Sequence, residues 1–334
     1  MTFMADEIAQ CPDAAARLLA TPATDAIARA LRARSFSFVV VCGRGSSGHA
    51  GVYLRYLIET HLAYVVSASA PSIITSYRKA PSVEGALFMV ISQSGRSPDL
   101  VAATRSAREG GALTLAIVNE PDSPAADAAE LVLPIEAGRE RAVAATKTVV
   151  NSMAACAHLV ARWAEDDALE AAVHRLPERL ASSQALDWSA WTRSLDGHPT
   201  PFVTGRGHGF GTIRELALKM AETLRLPALA YSAAELRHGP RAALGPATPV
   251  LALRQNDAVA ESVDALVEDL KGQGVPVEIC GGPLGTLPWL PDDHPACDPI
   301  VMLIPAYRAI EAEAQARGFD PDSPPSLTKV TETL

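Results

Sequence analysis

The chain lacks paired cysteines, long apolar runs and an excess of positive charge. Its five cysteines are scattered over 334 residues and none lies in a Cys-x-x-Cys pair, which argues against a disulfide-stapled protein. No histidine or cysteine pair has the spacing of metal ligands, so we expect no metal. We also expect no cofactor. The net charge is −9, whereas nucleic-acid-binding domains are more often basic. No apolar run approaches the length of a membrane span.

The amino-terminal segment also lacks the features of a secretory signal. Residues 1–20 contain Asp6, Glu7 and Asp13 and have no apolar central region. Their pattern predicts an amphipathic helix interrupted near Pro12. Together with the scattered cysteines, this predicts a cytoplasmic protein whose partners include neither nucleic acid nor membrane.

Apolar runs that alternate with helical patterns make up most of the chain. This alternation predicts an α/β fold with open parallel sheets covered by helices on both faces, in three α/β/α layers. In the first half, strands are predicted at 36–42, 64–67, 87–92, 113–119 and 131–135, and helices at 47–61 and 143–163. In the second half, strands are predicted at 201–204, 248–254, 277–280 and 300–305.

Two Gly-Arg-Gly turns divide the chain into similar halves. The turns lie at 43–45 and 205–207, and each follows a predicted strand, which indicates an internal repeat of two α/β modules. The tail contains Pro321, Pro324 and Pro325 and is too rich in proline for a helix. The predicted order is an amino-terminal helical segment (1–30), a first module (31–165), a helical linker (166–196), a second module (197–315) and a tail (316–334).

The most polar turn of the first module reads Ser-Gln-Ser-Gly-Arg-Ser-Pro-Asp and spans 92–99, between a buried strand and a helix. Such a turn directs backbone N–H groups and a helix dipole at a ligand, and serines add donors without bulk. Two more serines follow the first Gly-Arg-Gly turn, and ligands collect at the carboxyl ends of parallel strands. A polar surface turn is the simpler alternative. The candidate phosphate-binding residues are Ser46, Ser47, Ser92, Gln93, Ser94 and Ser97.

A dinucleotide site is the main rival for the first turn. Residues 43–48 match G-x-G-x-x-G after a strand and before a helix. That fingerprint also needs an acidic residue near the end of the next strand, and 66–69 (Val-Ser-Ala-Ser) contains none. No Gly-Lys-Ser or Gly-Lys-Thr loop occurs either. A small phosphate ester therefore fits better than a nucleotide.

Three charged residues share one face of the helix predicted after the second turn. Glu215, Lys219 and Glu222 are spaced i, i+4 and i+7. Spacing alone favours a solvated row of salt bridges, but the face begins at the carboxyl end of a strand, which favours a site. His238 follows in Glu-Leu-Arg-His-Gly-Pro, where glycine and proline predict a rigid turn. A carboxylate, a lysine and a histidine suit proton transfer on a sugar, although a lone histidine is more often structural.

The whole chain resembles the sugar isomerase (SIS) domain family, specifically members with two SIS modules. It is similar in pattern to the isomerase half of glucosamine-6-phosphate synthase and to the type II glucosamine-6-phosphate deaminases. The resemblance implies two tandem SIS modules, each an open parallel sheet flanked by helices. The matching motifs are GRGSSGHAG (43–51), SQSGRSPD (92–99), VAATK (143–147), KMAE (219–222), ELRHGP (235–240) and Lys329 in the tail.

The resemblance also implies residue roles. Phosphate binding falls on Ser47 and the 92–97 turn, and the base that moves a proton between C2 and C1 falls on Glu222, with Lys219 assisting. The ring-opening histidine falls on His238, which relatives supply from the neighbouring subunit of a homodimer. The tail lysine, which forms a Schiff base with the ketose in the synthase, falls on Lys329. Accessory positions fall on Glu215 and Val143.

The implied activity is isomerisation of an aminosugar phosphate. We expect no glutaminase half, because no cysteine follows the initiator methionine and the chain has no room for that domain. Without an ammonia source the expected net reaction converts glucosamine 6-phosphate into fructose 6-phosphate and ammonia. The alternatives are another phosphosugar isomerase or a fructosamine-phosphate deglycase. A non-enzymatic sugar-phosphate sensor should carry a DNA-binding segment or lack the acid–base residues, and neither is seen.

Overall fold

Two wholly parallel sheets form in residues 2–198 and 200–329, which the computed structural model describes. Each sheet lies in a compact unit of its own. The five-strand unit comprises residues 13–140, 147–174 and 327–329. The four-strand unit comprises residues 2–12, 141–146, 175–198 and 200–326.

The sheet of the five-strand unit has the order β2-β1-β3-β4-β5. Its strands are β1 (Val39–Cys42), β2 (Val66–Ala68), β3 (Leu87–Ser92), β4 (Leu113–Val118) and β5 (Leu131–Pro134). Every residue of β1, β3 and β4 is buried, as expected for parallel strands covered on both faces. The chain runs from β1 to β2, at one edge of the sheet, and from β3 to β4, toward the other edge. The neighbours β1 and β3 therefore form the topological switch point of the sheet.

The sheet of the four-strand unit has the order β7-β6-β8-β9, which repeats the order of the first four strands of the other sheet. Its strands are β6 (Phe202–Gly205), β7 (Leu229–Ser232), β8 (Val250–Leu253) and β9 (Val277–Cys280). Strands β6 and β8 are the corresponding neighbours at its switch point. The predicted internal repeat is therefore visible as a repeated strand order.

Helices flank both sheets. In the five-strand unit the strands contact α6 and α7 as well as α3, α4 and α8, and the buried apolar residues of α6 join those of the sheet. The predicted α/β class is confirmed. In chain order the helices are α1 (Phe3–Ala9), α2 (Cys11–Leu19), α3 (Ala23–Arg32), α4 (Gly45–His61), α5 (Ser72–Thr75), α6 (Pro98–Glu109), α7 (Pro124–Ala128), α8 (Lys147–Ala164), α9 (Asp167–Ser183), α10 (Ser189–Arg193), α11 (Phe210–Thr223), α12 (Ala233–Leu236), α13 (Ala260–Gly272) and α14 (Asp298–Ala316).

The strand predicted at 300–305 is wrong, because this segment lies inside α14. The run is entirely apolar and buried, and a buried helix and a buried strand cannot be told apart by such a run alone. Pro305 lies within α14. In addition, β7 forms where no strand was predicted.

The amino-terminal prediction is confirmed, since α1 and α2 are separated at Gln10 and Pro12 lies in the first turn of α2. Within the described residues, no helix combines the length and the apolar character needed to cross a bilayer. The carboxyl-terminal stretch from Phe319 to Lys329 contains no helix, as its prolines predict.

Candidate functional site

Two polar loops follow the adjacent strands β1 and β3 at the switch point of the five-strand unit. One carries Ser46 and Ser47, which lie half-buried in the first turn of α4. The other spans 92–97 and leads into α6. The structure thus brings the two predicted phosphate-binding segments to neighbouring positions at the edge of one sheet, where parallel sheets bind ligands.

The 92–97 loop is held in shape by its own hydroxyl groups. The Oγ of Ser92 accepts a hydrogen bond from the N–H of Gly95 at 3.1 Å, and the Oγ of Ser94 accepts one from the N–H of Arg96 at 3.3 Å. Gly95 has a φ of +62°, and a Cβ there would lie 2.6 Å from the Cβ of Ser123. The loop therefore requires glycine at this position. Ser97 precedes α6 in an extended conformation, and its hydroxyl does not cap the helix.

An ion pair that the sequence analysis missed connects the two loops. The Nε and Nη2 of Arg44 donate to Asp99 Oδ2 at 2.8 and 2.6 Å. Asp99 is only 1% exposed, and its other oxygen accepts from the N–H of Leu100 at 2.8 Å. Because a buried carboxylate needs such partners, this pair fixes the loops relative to each other. Both residues stand in the motifs, but only the adjacency of β1 and β3 reveals that they meet.

Cys42, at the end of β1 beside these loops, belongs to the core. It is fully buried, and burial raises the pKa of its thiol to about 12. The thiol therefore stays protonated at neutral pH and is not a nucleophile.

In the four-strand unit, α11 holds the charged row in a buried environment. Lys219 and Glu215 are both 0% exposed, and the Nζ of Lys219 lies 3.4 Å from Glu215 Oε1 and contacts the carboxylate of Glu222. The hydroxyl of Tyr307, from α14, donates to Glu215 Oε1 at 3.1 Å. The prediction from spacing alone, a solvated row of salt bridges, is wrong. The side chain of Glu222 is 22% exposed, so the row ends in a carboxylate that solvent reaches.

His238 lies exposed on a turn, as predicted from its neighbours. Its backbone N–H donates to the carbonyl of Glu235 at 3.0 Å, which closes the turn after α12. Gly239 and Pro240 then begin a short 3₁₀ turn. The imidazole is therefore presented on a constrained backbone at the surface of its unit.

The tail lysine meets a buried carboxylate that the sequence analysis did not single out. The Nζ of Lys329 donates to Glu140 Oε2 at 2.7 Å. Thr148, in the first turn of α8, donates to the same carboxylate through its N–H at 3.0 Å and its hydroxyl at 2.8 Å. Burial opposes the charge on Glu140, but Lys329 and these hydrogen bonds outweigh it and hold its pKa below the usual range.

The neighbouring accessory position is tied to the tail as well. The N–H of Val143 donates to the carbonyl of Asp322 at 3.0 Å. The carboxylate of Asp322 accepts from the N–H groups of Phe3 and Met4 at 2.7 and 2.8 Å, so it binds the amino-terminal turn of α1. The tail is thus anchored at defined points although it forms no helix.

No group of three or more histidine, cysteine, aspartate or glutamate side chains in residues 2–198 and 200–329 could hold a metal ion. The expectation that the protein uses no cofactor stays a prediction.

Comparison with known proteins points to one family. A family model described as the SIS domain matches residues 37–162 and 198–287. The chain is 32% identical over 337 residues to glutamine–fructose-6-phosphate aminotransferase (isomerizing) of Symbiobacterium thermophilum, which covers 95% of this chain and 55% of that protein. The chain spans about half the length of the curated relatives it matches.

Solved structures show the same architecture. A proposed phosphosugar isomerase from Silicibacter pomeroyi DSS-3 is 38% identical, with a TM-score of 0.92 over 96% of this chain and 100% of that one. Glucosamine-6-phosphate deaminase from Thermotoga maritima is 22% identical, with a TM-score of 0.82 over 99% of this chain and 100% of that one. Because the Thermotoga maritima protein is only 22% identical, its likeness to this chain shows the fold alone.

Proposed function

The chain belongs to the SIS domain family, and on that premise we propose that it is an aminosugar-phosphate isomerase that releases ammonia. Its substrate would be glucosamine 6-phosphate and its products fructose 6-phosphate and ammonium. The proposal depends most on one observation: fully buried Lys219 contacts both Glu215 and Glu222, and Glu222 alone of the three is partly exposed. The contact with a buried ammonium orients that carboxylate, which suits a base that removes a proton from carbon.

Phosphate binding is assigned to Ser46, Ser47 and the 92–97 loop. The support is their position at the ends of β1 and β3, where N–H groups at the starts of α4 and α6 favour an anion. The pair of Arg44 and Asp99 keeps the loops in register before a ligand binds. A phosphate held far from the reacting carbons supplies binding energy that orients C1 and C2.

The proton transfers are assigned to Glu222 and His238. His238 opens the sugar ring by moving the proton of the C1 hydroxyl to the ring oxygen. Glu222 then removes the proton from C2 and returns it to C1, while the C2 amine gives up one proton and the oxygen on C1 gains one, so that the amine becomes an imine. Water adds to C2, the new C2 hydroxyl loses its proton as the C–N bond breaks, and the ketone and ammonia form. The ammonia takes up a proton from water to become ammonium. Because Lys219 is fully buried, it is proposed to act through Glu222.

His238 is proposed to act in the site of a second copy of the chain in a homodimer, as the resemblance implies. Its exposure on a constrained turn agrees with that role. The test mixes two inactive variants, Glu222→Gln and His238→Ala, under conditions that allow subunits to exchange. If the residues act in trans, about a quarter of the sites in an equal mixture contain neither substitution and activity returns to that level. Activity that stays at the level of the separate variants would contradict the shared site.

The activity itself is tested by incubating the purified protein with glucosamine 6-phosphate and measuring ammonium and fructose 6-phosphate. Equal amounts of both products are expected. Fructosamine-type phosphates and simple aldose phosphates are run alongside. Turnover only of the former identifies a deglycase, and turnover only of the latter identifies another phosphosugar isomerase. Binding of sugar phosphates without turnover identifies a sensor, and each of these three outcomes overturns the proposal.

A further inference from the structure

The tail lysine is held by one of the most thoroughly buried carboxylates of the five-strand unit. The side chain of Glu140 is 0% exposed, whereas that of Lys329 is 24% exposed, so the contact joins the interior to an accessible amine. An isolated buried carboxylate is costly, and it is tolerated only when charges and hydrogen bonds compensate it. The ammonium of Lys329 supplies the charge that faces it.

The carboxylate is fixed independently of the tail. Thr148 donates to it with both its N–H and its hydroxyl from the first turn of α8, where the helix dipole also favours a negative charge. The 18-residue α8 packs against α3 and α4, so its first turn is rigidly placed. Glu140 is therefore a fixed acceptor onto which the tail lysine docks.

The nearby Lys147 lies in a different environment from Lys329. Its Nζ donates to the carbonyl of Arg139 at 2.8 Å, and the residue is almost fully buried. Lys329 differs because it is partly exposed and carried by a stretch without a helix. An amine on such a stretch needs an anchor if it is to occupy one position.

We propose that Glu140 is a positioning residue that holds the amine of Lys329 in one place. Its influence on the reaction is exerted through Lys329, and this part rests on the proposed function. The substitution Glu140→Gln keeps an acceptor for Thr148 but removes the charge that attracts the lysine. The amine should then leave its site without loss of the fold.

The first test measures the position of the amine without using activity. The protein and its Glu140→Gln variant are treated briefly with acetic anhydride, and acetylation of Lys329 is followed by mass spectrometry. We expect Lys329 to react severalfold faster in the variant, because the ion pair no longer shields it. Exposed Lys79 serves as the internal reference, and exposed Glu84→Gln as the matched control. An unchanged rate at Lys329 would overturn the inference, whether or not the protein is a deaminase.

The second test asks whether Glu140 acts through Lys329. The specificity constant kcat/KM is measured for the native protein, for Glu140→Gln, for Lys329→Met and for the double variant. Misplacing a reacting group by about 1 Å can cost about 100-fold, so Glu140→Gln should lower kcat/KM by that order in the native background. In the Lys329→Met background it should change almost nothing. An equal loss in both backgrounds would show a separate, structural role for Glu140.

The two tests separate the inference from the proposed function. Faster acetylation in a protein that does not turn over glucosamine 6-phosphate would confirm the docking contact and refute the deaminase assignment. The Glu140→Asp variant keeps the negative charge on a shorter side chain. If attraction between the charges holds the amine, Lys329 should be acetylated more slowly in this variant than in Glu140→Gln. Full reactivity in that variant would contradict the attraction.

Discussion

The two sheets share a strand order, but the loops at their switch points differ in side chains and charge. After β3, the five-strand unit has a serine-rich loop shaped around Gly95. After β8, the four-strand unit has Arg254, Gln255 and Asp257. The amide of Gln255 is buried and lies 2.5 Å from where a Cβ on Gly209 would stand. A side chain therefore fills the space beside the second glycine-rich turn.

The charge at that turn differs as well. A carboxylate oxygen of Asp257 lies 3.4 Å from where a Cβ on Gly207 would stand. Burial raises the pKa of Asp257, although hydrogen bonding to Val259 opposes the shift. An acidic group at this place disfavours a phosphate, whereas the loop in the other unit offers serines. The two units therefore repeat a strand order but differ in the side chains and charges of the loops that follow it.

The largest expected effect tests the assignment of chemistry to α11. Replacing Glu222 by Gln removes the proposed base while keeping the shape of the side chain. We expect kcat to fall by about 10²- to 10⁴-fold, the usual contribution of general acid–base catalysis. Binding of sugar phosphates should remain, because the phosphate loops are untouched. Steady-state kinetics and calorimetric titration measure the two quantities.

A matched control for this variant is Glu268→Gln, on the exposed face of α13 in the same unit. It removes one negative charge without touching the buried row, so its kcat should equal that of the native protein. Ammonia release by Glu222→Gln at a nearly native rate would show that the base is another group.

The second prediction uses pH to separate the stabilities of the two units. Burial, with a smaller effect of His174, lowers the pKa of His158 in the five-strand unit from 6.5 to about 4. Burial raises the pKa of Asp298 in the four-strand unit from 3.8 to about 6, against the opposing effect of Arg179. Since the folded state disfavours charged His158, its stabilisation is present above pH 6.5 and is lost as pH falls toward 4. The contribution of Asp298 has the opposite sign and is lost as pH rises through 6.

Each shift corresponds to about 3 kcal/mol at about 1.36 kcal/mol per pKa unit. Lowering the pH from 7 to 4 should therefore lower the stability of the five-strand unit through His158 and raise that of the four-strand unit through Asp298. Hydrogen exchange at both pH values, corrected for intrinsic rates, measures the stability of each unit separately. His158→Phe should remove much of the acid sensitivity of the five-strand unit. Earlier opening of the four-strand unit at pH 4 would refute the assigned signs.

Much of the sheet architecture is predictable because buried parallel strands appear as short apolar runs bounded by turns. The predicted ranges 87–92 and 277–280 coincide with β3 and β9. The same rule fails at 300–305, because this stretch of α14 is entirely apolar and buried. Hydrophobicity alone does not distinguish a buried strand from a buried helix.

The candidate site also has some features that the sequence predicts and others that it does not. Motifs locate the serines and the row on α11, since spacing within one loop or helix is visible in the sequence. Pairs that the fold creates are not visible there: Arg44 and Asp99 are 55 residues apart, and Glu140 and Lys329 are 189 apart. The burial of Lys219 was hidden too, because its solvent exposure depends on packing of α14 against α11.

The smallest expected effect compares the two switch-point loops directly. Ser92→Ala removes one hydroxyl from the loop after β3, and Asn256→Ala shortens an exposed side chain in the corresponding loop after β8. If only the first loop binds phosphate, Ser92→Ala should raise KM by about tenfold, the value of one hydrogen bond to a charged group, and leave kcat nearly unchanged. Asn256→Ala should change neither constant. An equal rise in KM for both variants would mean that the four-strand unit still binds the phosphate, and the division between the loops would then be wrong.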